Sequence, residues 1–251
     1  MPEALIALAI FICLLAASLG AVFVYEKLPR QYRHDDTNSV VRLIAGLFVM
    51  MASLVLGLMV NSARGTFETI DHDVHTIATE IILLDRAMRE YGPETDEARL
   101  RLAAYVQRAL TGTAPTNDPL VVGDRSSEQL LDAVGAGLKA IKPGDPDHAA
   151  MMQGARQQFQ KIVALRWTLV EQSEGTIPLP LLFMLVAWLV LIFASFGYRA
   201  PKNLVVGASF VLAAGLIAGS IYLILDMDVP FSGPIQVSGE PLARALAEIR
   251  R

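Results

Sequence analysis

Four stretches of this chain contain no Asp, Glu, Lys, Arg or His: Ala4–Tyr25, Leu43–Val60, Ile177–Phe196 and Leu204–Leu225. Each is 18 to 22 residues long. At about 1.5 Å per residue, such helices reach roughly 27–33 Å, the thickness of a bilayer's hydrocarbon core. Inside hydrocarbon only a helix or a closed barrel satisfies every backbone N–H and C=O. No part of the sequence alternates as a barrel strand must, so the chain is expected to be all-α, with four transmembrane helices in a lipid bilayer. The apolar excess behind this expectation (53% hydrophobic, mean hydropathy +0.45) is concentrated in those runs. Met1-Pro2-Glu3 supplies no basic n-region, and the first run is longer than a signal peptide's apolar core, so it is expected to stay as a membrane helix.

The second run continues into polar sequence without a break. One stripe persists through both halves: Gly46, Val49, Ser53, Leu56, Val60, Ala63, Phe67, Ile70, Val74, Ile77, Ile81, Leu84, Met88 and Tyr91. Its steps alternate between three and four, a heptad period of 3.5. No proline interrupts Leu43–Tyr91, and Gly92-Pro93 ends it. A single long helix is predicted, leaving the membrane with one face still committed to packing.

Residues 63–176 carry 12 basic and 17 acidic residues, as a solvated segment does. Helices are predicted from near Glu94 to Leu110, from Ser126 or Ser127 through Ile141, and from Asp147 to about Glu171. The last carries Met152, Ala155, Phe159, Ile162 and Leu169 on one face and should pack antiparallel to the long helix. The expected organisation is therefore residues 1–62 as transmembrane helices 1 and 2, and 63–176 as a soluble helical domain inserted between helices 2 and 3. Residues 177–228 follow as transmembrane helices 3 and 4, then a tail over 229–251 whose Leu242, Leu246 and Ile249 could dock on the domain. Lys27, Arg30, Arg33 and Arg42 mark one short loop, and Arg199 and Lys202 mark the other. Both are positive, which places them in the cytoplasm and the N-terminus and soluble domain on the non-cytoplasmic side.

The chemistry such a chain can carry is limited. No GxSxG, phosphate-binding glycine loop, HExxH or CxxC occurs, so no enzyme is predicted. A net charge of −4 without a basic face argues against nucleic acid as a partner. Cys13 is the sole cysteine, so an internal disulfide is excluded. Glu68, His72 and His75 can share a helix face with Asp71 nearby, but a solvated face explains them better than a metal site. Asp226 and Asp228, where the fourth span ends, could supply oxygen ligands to Ca²⁺, or cap local turns or pair with Arg64. Gly215 and Gly219 form a GxxxG pair suited to close backbone contact. Asn61, Ser62 and Arg64 sit at the membrane exit of the long helix, where they would form a polar, positive ring if that helix lined a pore. Spans without ionisable groups fit a passive pore or a non-transporting scaffold better than a proton-coupled pump.

Several segments carry a family resemblance: LVLGLMVNSARGTFE over 54–68, LDRAMREYGP over 84–93, RWTLVE over 166–171, FASFGYRAPKN over 193–203 and ILDMDVPFSG over 224–233. In these the chain resembles the bestrophin-like membrane proteins, a family without an assigned activity, and more remotely the bestrophin anion channels. Bestrophins are pentamers whose second helix lines a hydrophobic neck and whose acidic clasp after the fourth helix binds Ca²⁺. The resemblance implies a bestrophin-like fold, a neck at the Gly46–Val60 face and a clasp at Asp226 and Asp228. It also implies a cytoplasmic helical domain, opposite to the charge count. The expected function is a homo-oligomeric passive ion channel, selective for anions by the resemblance. Its candidate lining is Gly46, Val49, Ser53, Leu56, Val60, Asn61 and Arg64. The alternative is a membrane-anchored scaffold or sensor whose helical domain binds a partner protein.

Overall fold

A computed structural model describes residues 2–27, 35–111, 125–172, 177–198, 200–229, 231 and 233–251. Among these the chain is all helical. Helix α1 spans Pro2–Lys27, α2 Asp35–Tyr91, α3 Asp96–Thr111, α4 Arg125–Ala140, α5 Pro146–Gln172, α6 Leu179–Gly197, α7 Leu204–Asp228 and α8 Glu240–Ile249. The unbroken apolar-to-polar helix expected over Leu43–Tyr91 exists and begins earlier, at Asp35. The chain divides into two compact units, Met1–Gly65 with Thr176–Asp228, and Thr66–Gly175 with Val229–Arg251. Helix α2 contributes to both.

The first unit holds the four helices apolar and long enough to cross a membrane. Helix α1 packs on α6 and α7. Its sides are nearly all apolar, so hydropathy does not mark the inward line; packing does, along Ala7, Ile10, Leu14 and Ser18. Leu5, Phe183 and Leu204 stay 69%, 72% and 89% exposed, as suits a surface covered by lipid or by another protein chain. Helix α6 approaches α1 closely at Gly197, where an added Cβ would collide with the Ser18 backbone oxygen and crowd the Ala21 Cβ. The GxxxG pair does not play that part. A Cβ on Gly219 would meet nothing within 4 Å, and one on Gly215 only an ordinary contact with Phe11 at 3.8 Å. Pro178 and Pro180 sit at the start of α6, where the first turn has no N–H bond to lose.

In the second unit Ile70, Val74, Ile77, Ile81, Leu84, Met88 and Tyr91 of α2 are buried in one core with α3, α4, α5 and α8. Helix α5 supplies Met152, Ala155, Ile162 and Leu169 to it. Glu80 of α2 accepts a hydrogen bond from Gln158 and lies 3.9 Å from Lys161, both on α5. Helix ends are closed by side chains. Arg156 donates to the carbonyls of Leu138 (2.9 Å) and Ile141 (3.2 Å) at the end of α4. Asp145 accepts from the His148 N–H at 2.8 Å, capping α5, with Pro146 in the first position. The serine expected to begin α4 lies inside it, because the helix starts at Arg125 and buries Ser127. The tail's Leu242, Leu246 and Ile249 are buried in the same core, as their spacing suggests.

Candidate pore-lining face and carboxylate pair

The stripe along α2 holds from Ile70 to Tyr91 but not through the membrane half. There the positions packed inward are Ala45, Ala52, Met59 and Ala63. Gly46, Ser53 and Asn61 are exposed, as are Val49 at 39% and Val60 at 47%, while Leu56 is half-buried. The expected single continuous seam is thus corrected. An α-helix turns every 3.6 residues, so a 3.5-residue repeat drifts by about 20° per heptad. Between Ile70 and Gly46 lie more than three heptads, and the stripe rotates off the inward line by roughly 70°. Ser53, Val60, Asn61 and Arg64 therefore stand off the inward line, whereas Leu56 packs against the bundle core and Gly46 and Val49 face a cleft beside α6 and α7.

This face is chemically mild. The Ser53 hydroxyl donates to the Val49 carbonyl at 2.8 Å, so it presents little unsatisfied polarity. Cβ atoms added at Gly46 or Gly57 would meet nothing within 4 Å. Where the stripe begins, an open cleft of about 860 Å³ separates α2 from α6 and α7, with Gly46, Val49 and Phe210 on its walls and Arg42 at its edge. Tyr198, also on the cleft wall, meets Tyr25 edge to face at 4.9 Å, and the Lys202 ammonium stands 4.8 Å from the Phe23 ring centre. Such amphipathic pairs belong at a membrane–water boundary. Asn61 and Arg64 are exposed at the other end of the stripe, and Arg64 has interactions of its own.

Asp226 and Asp228 belong to the last turn of α7, one and three residues beyond the apolar run, and not to a following loop. Both are buried, at 2% and 4% exposure. The Asp228 Oδ2 accepts a hydrogen bond from the Ile177 N–H at 3.1 Å, just ahead of α6. Asp226 is hydrogen-bonded to the Tyr222 side chain one turn earlier. The turn-capping role considered from sequence is therefore a fastening between two spans. A Ca²⁺ ion takes about six to eight oxygens, and among the described residues no group of three or more His, Cys, Asp or Glu could hold a metal. The histidines of α2 follow suit. His72 and His75 are exposed, and His75 Nδ1 lies 2.9 Å from the Asp71 carbonyl oxygen of its own helix.

Two features escape a hydropathy reading. Asp85, 1% exposed, follows Leu84 directly and receives Arg99 at 2.8 Å and Arg89 at 2.9 Å. The same arginines reach the Ile249 and Glu248 carbonyls at the end of α8. Arg166 is buried on α5 between Ile162 and Leu169, on the heptad rung where an apolar residue is due. That rung is visible in the sequence as a charge interrupting a 3–4 pattern.

The Bestrophin-like domain matches the chain over residues 12–242. Two variant structures of a bacterial bestrophin homologue from Klebsiella pneumoniae are each 12% identical and cover 97% of this chain and of theirs, with TM-scores of 0.66 and 0.68. A third structure, of a membrane protein, is 12% identical at TM-score 0.66, covering 97% of this chain and 96% of its own. No curated protein matches. At such identity the structures speak for the fold, an all-α arrangement with four apolar spanning helices. The domain match, running from the first span to the start of the terminal helix, carries the rest: the chain belongs to the bestrophin-like family.

Proposed function

We propose that this protein is a homo-oligomeric, passive ion pore of the membrane, with the Gly46–Val60 face of α2 lining its constriction. The observation that carries the proposal is the exposure of Ser53 and Val60, each one residue beyond an inward position (Ala52 and Met59), with Gly46 and Val49 open to the cleft beside α6 and α7. Small and apolar side chains at those positions suit a narrow neck that admits an ion without binding it tightly. Asn61 and Arg64 at the stripe's end favour anions at its mouth. Membership of the bestrophin-like family supports the same role and favours a cytoplasmic helical domain over the side indicated by loop charge.

Asp226 and Asp228 serve this pore as a fastening of α7 to the start of α6, and Ca²⁺ binding there calls for oxygens from a second copy. Reconstitution tests the proposal. Liposomes carrying the purified oligomer should pass anions faster than empty vesicles, with no dependence on a proton gradient. A folded protein that sediments and scatters as a monomer and passes no ion would favour a membrane-anchored scaffold instead.

A further inference from the structure

Helix α2 joins the core of the spanning unit at one level and leaves gaps at another. From Ala52 onward its inward side chains, with Met59 and Ala63, belong to that core. Between Val41 and Met50 it walls two clefts instead. The cleft toward α6 and α7 holds about 860 Å³, and the one toward α1 and α6 about 330 Å³. They share Ala45, Ser195 and Tyr198, so they meet where α6 ends.

The larger cleft changes character with depth. At its rim Arg42 is exposed and forms no hydrogen bond or ion pair with any described residue. Among the described residues no Asp or Glu lines the cleft. Val49, Met50, Phe196 and Phe210 make the wall apolar, and the Ser195 hydroxyl already donates to the Ile192 carbonyl at 2.6 Å. From Arg42 to Met50 the wall runs about 12 Å along α2, most of the roughly 15 Å that make up half a bilayer's hydrocarbon core. The contacts of Tyr198 with Tyr25 and of Lys202 with Phe23 set the rim at headgroup depth. An apolar trough ending at an unpaired guanidinium matches an acyl chain ending at a phosphate, which arginine binds through two parallel N–H donors. Water does not suit the walls, and a zwitterionic lipid brings its own cation to a rim that is already positive.

We propose that the cleft between α2 and the α6–α7 pair is a site for one anionic phospholipid, its phosphate on Arg42 and an acyl chain along Val49 and Phe210. Basic pockets between spanning helices take anionic headgroups in this way. The chain end lies where the α2 stripe begins and does not reach Ser53 or Val60, which line no part of the cleft. Arg42 then has a binding task, and its charge ceases to speak for membrane orientation. The proposal rests on these helices lying in a bilayer and not on the stripe conducting.

The test uses the intact chain in mixed micelles holding equal amounts of dioleoyl phosphatidylglycerol and dioleoyl phosphatidylcholine. Lipid retained on the protein is counted by native mass spectrometry. The unsubstituted protein should retain phosphatidylglycerol about fivefold over phosphatidylcholine, the preference one headgroup-level arginine supplies. Arg42→Gln should bring that ratio close to one. Val206→Trp, which fills the cleft from α7, should reduce the retained phosphatidylglycerol several-fold while Arg42 remains. Equal retention of the two lipids by the unsubstituted protein, or a preference kept by R42Q, would overturn the proposal. So would a V206W protein that keeps its lipid but loses its oligomer, since a second copy would then be what covers the cleft. The readout is lipid and not flux, so a protein that passes no ion can still meet it.

Discussion

Asp85 tolerates burial because two arginines reach it from different helices. Its hydrogen bond raises the pKa of the Arg99 guanidinium above the ordinary value, with Asp96 adding to the effect. Truncating one partner of such a buried set strands the others. Asp85→Ala is expected to destabilise the protein by about 3 kcal/mol, seen as a lowered unfolding midpoint and an α8 more open to proteolysis. Arg156→Ala removes charged donors from the Leu138 and Ile141 carbonyls and should cost about 1.5–3 kcal/mol in the same assay. Neither Asp85 nor Arg156 was legible in the sequence. Each sits beside apolar residues in a helical pattern, and its partners come from helices distant in the chain. Arg166 was legible as an interruption of a heptad, although nothing in the sequence tells a buried interruption from a snorkelling one.

Among elements, helix existence was readable and helix phase was not. Uncharged length marked the four spans, and Gly92-Pro93 and the Lys142–Pro146 segment marked two helix ends. The inward faces of the spans were hidden because helices apolar all round carry no directional signal. Close contact between α1 and α6 is made at Ser18 and Gly197, not at the GxxxG pair of α7. Gly197→Ala should therefore lower stability by about 1–3 kcal/mol through overpacking, while Gly219→Ala should leave it nearly unchanged. The cap of α5 predicts a pH dependence. Led by the hydrogen bond from the His148 backbone, with its ring adding to it, hydrogen bonding holds the Asp145 carboxyl below its usual range against the opposing effect of desolvation. A carboxyl whose folded pKa is depressed contributes stability above its unfolded value and loses it as pH falls through the folded one. The start of α5 should then fray below about pH 4, and Asp145→Ala should remove that acid step. Amide hydrogen exchange at residues 146–150 measures both.

At the scale of the molecule, the exposed α2 stripe, the uncharged spans and the bestrophin-like domain together support an oligomeric pore. Loop charge and family orientation place the helical domain on opposite sides of the membrane. A single cysteine introduced at Glu90 in a Cys13→Ser background decides between them by labelling in intact cells, and protection from an impermeant reagent is the expected result. The lining itself is tested most directly in the same background by placing cysteines at Ser53 and Val60 on the stripe, and at Leu216 on the exposed outer side of α7. Ion flux is then followed in proteoliposomes as a charged thiol reagent is added. The pore account predicts that modification at Ser53 and Val60 changes flux several-fold while modification at Leu216 leaves it unaltered. Flux that ignores the reagent at both stripe positions would contradict it.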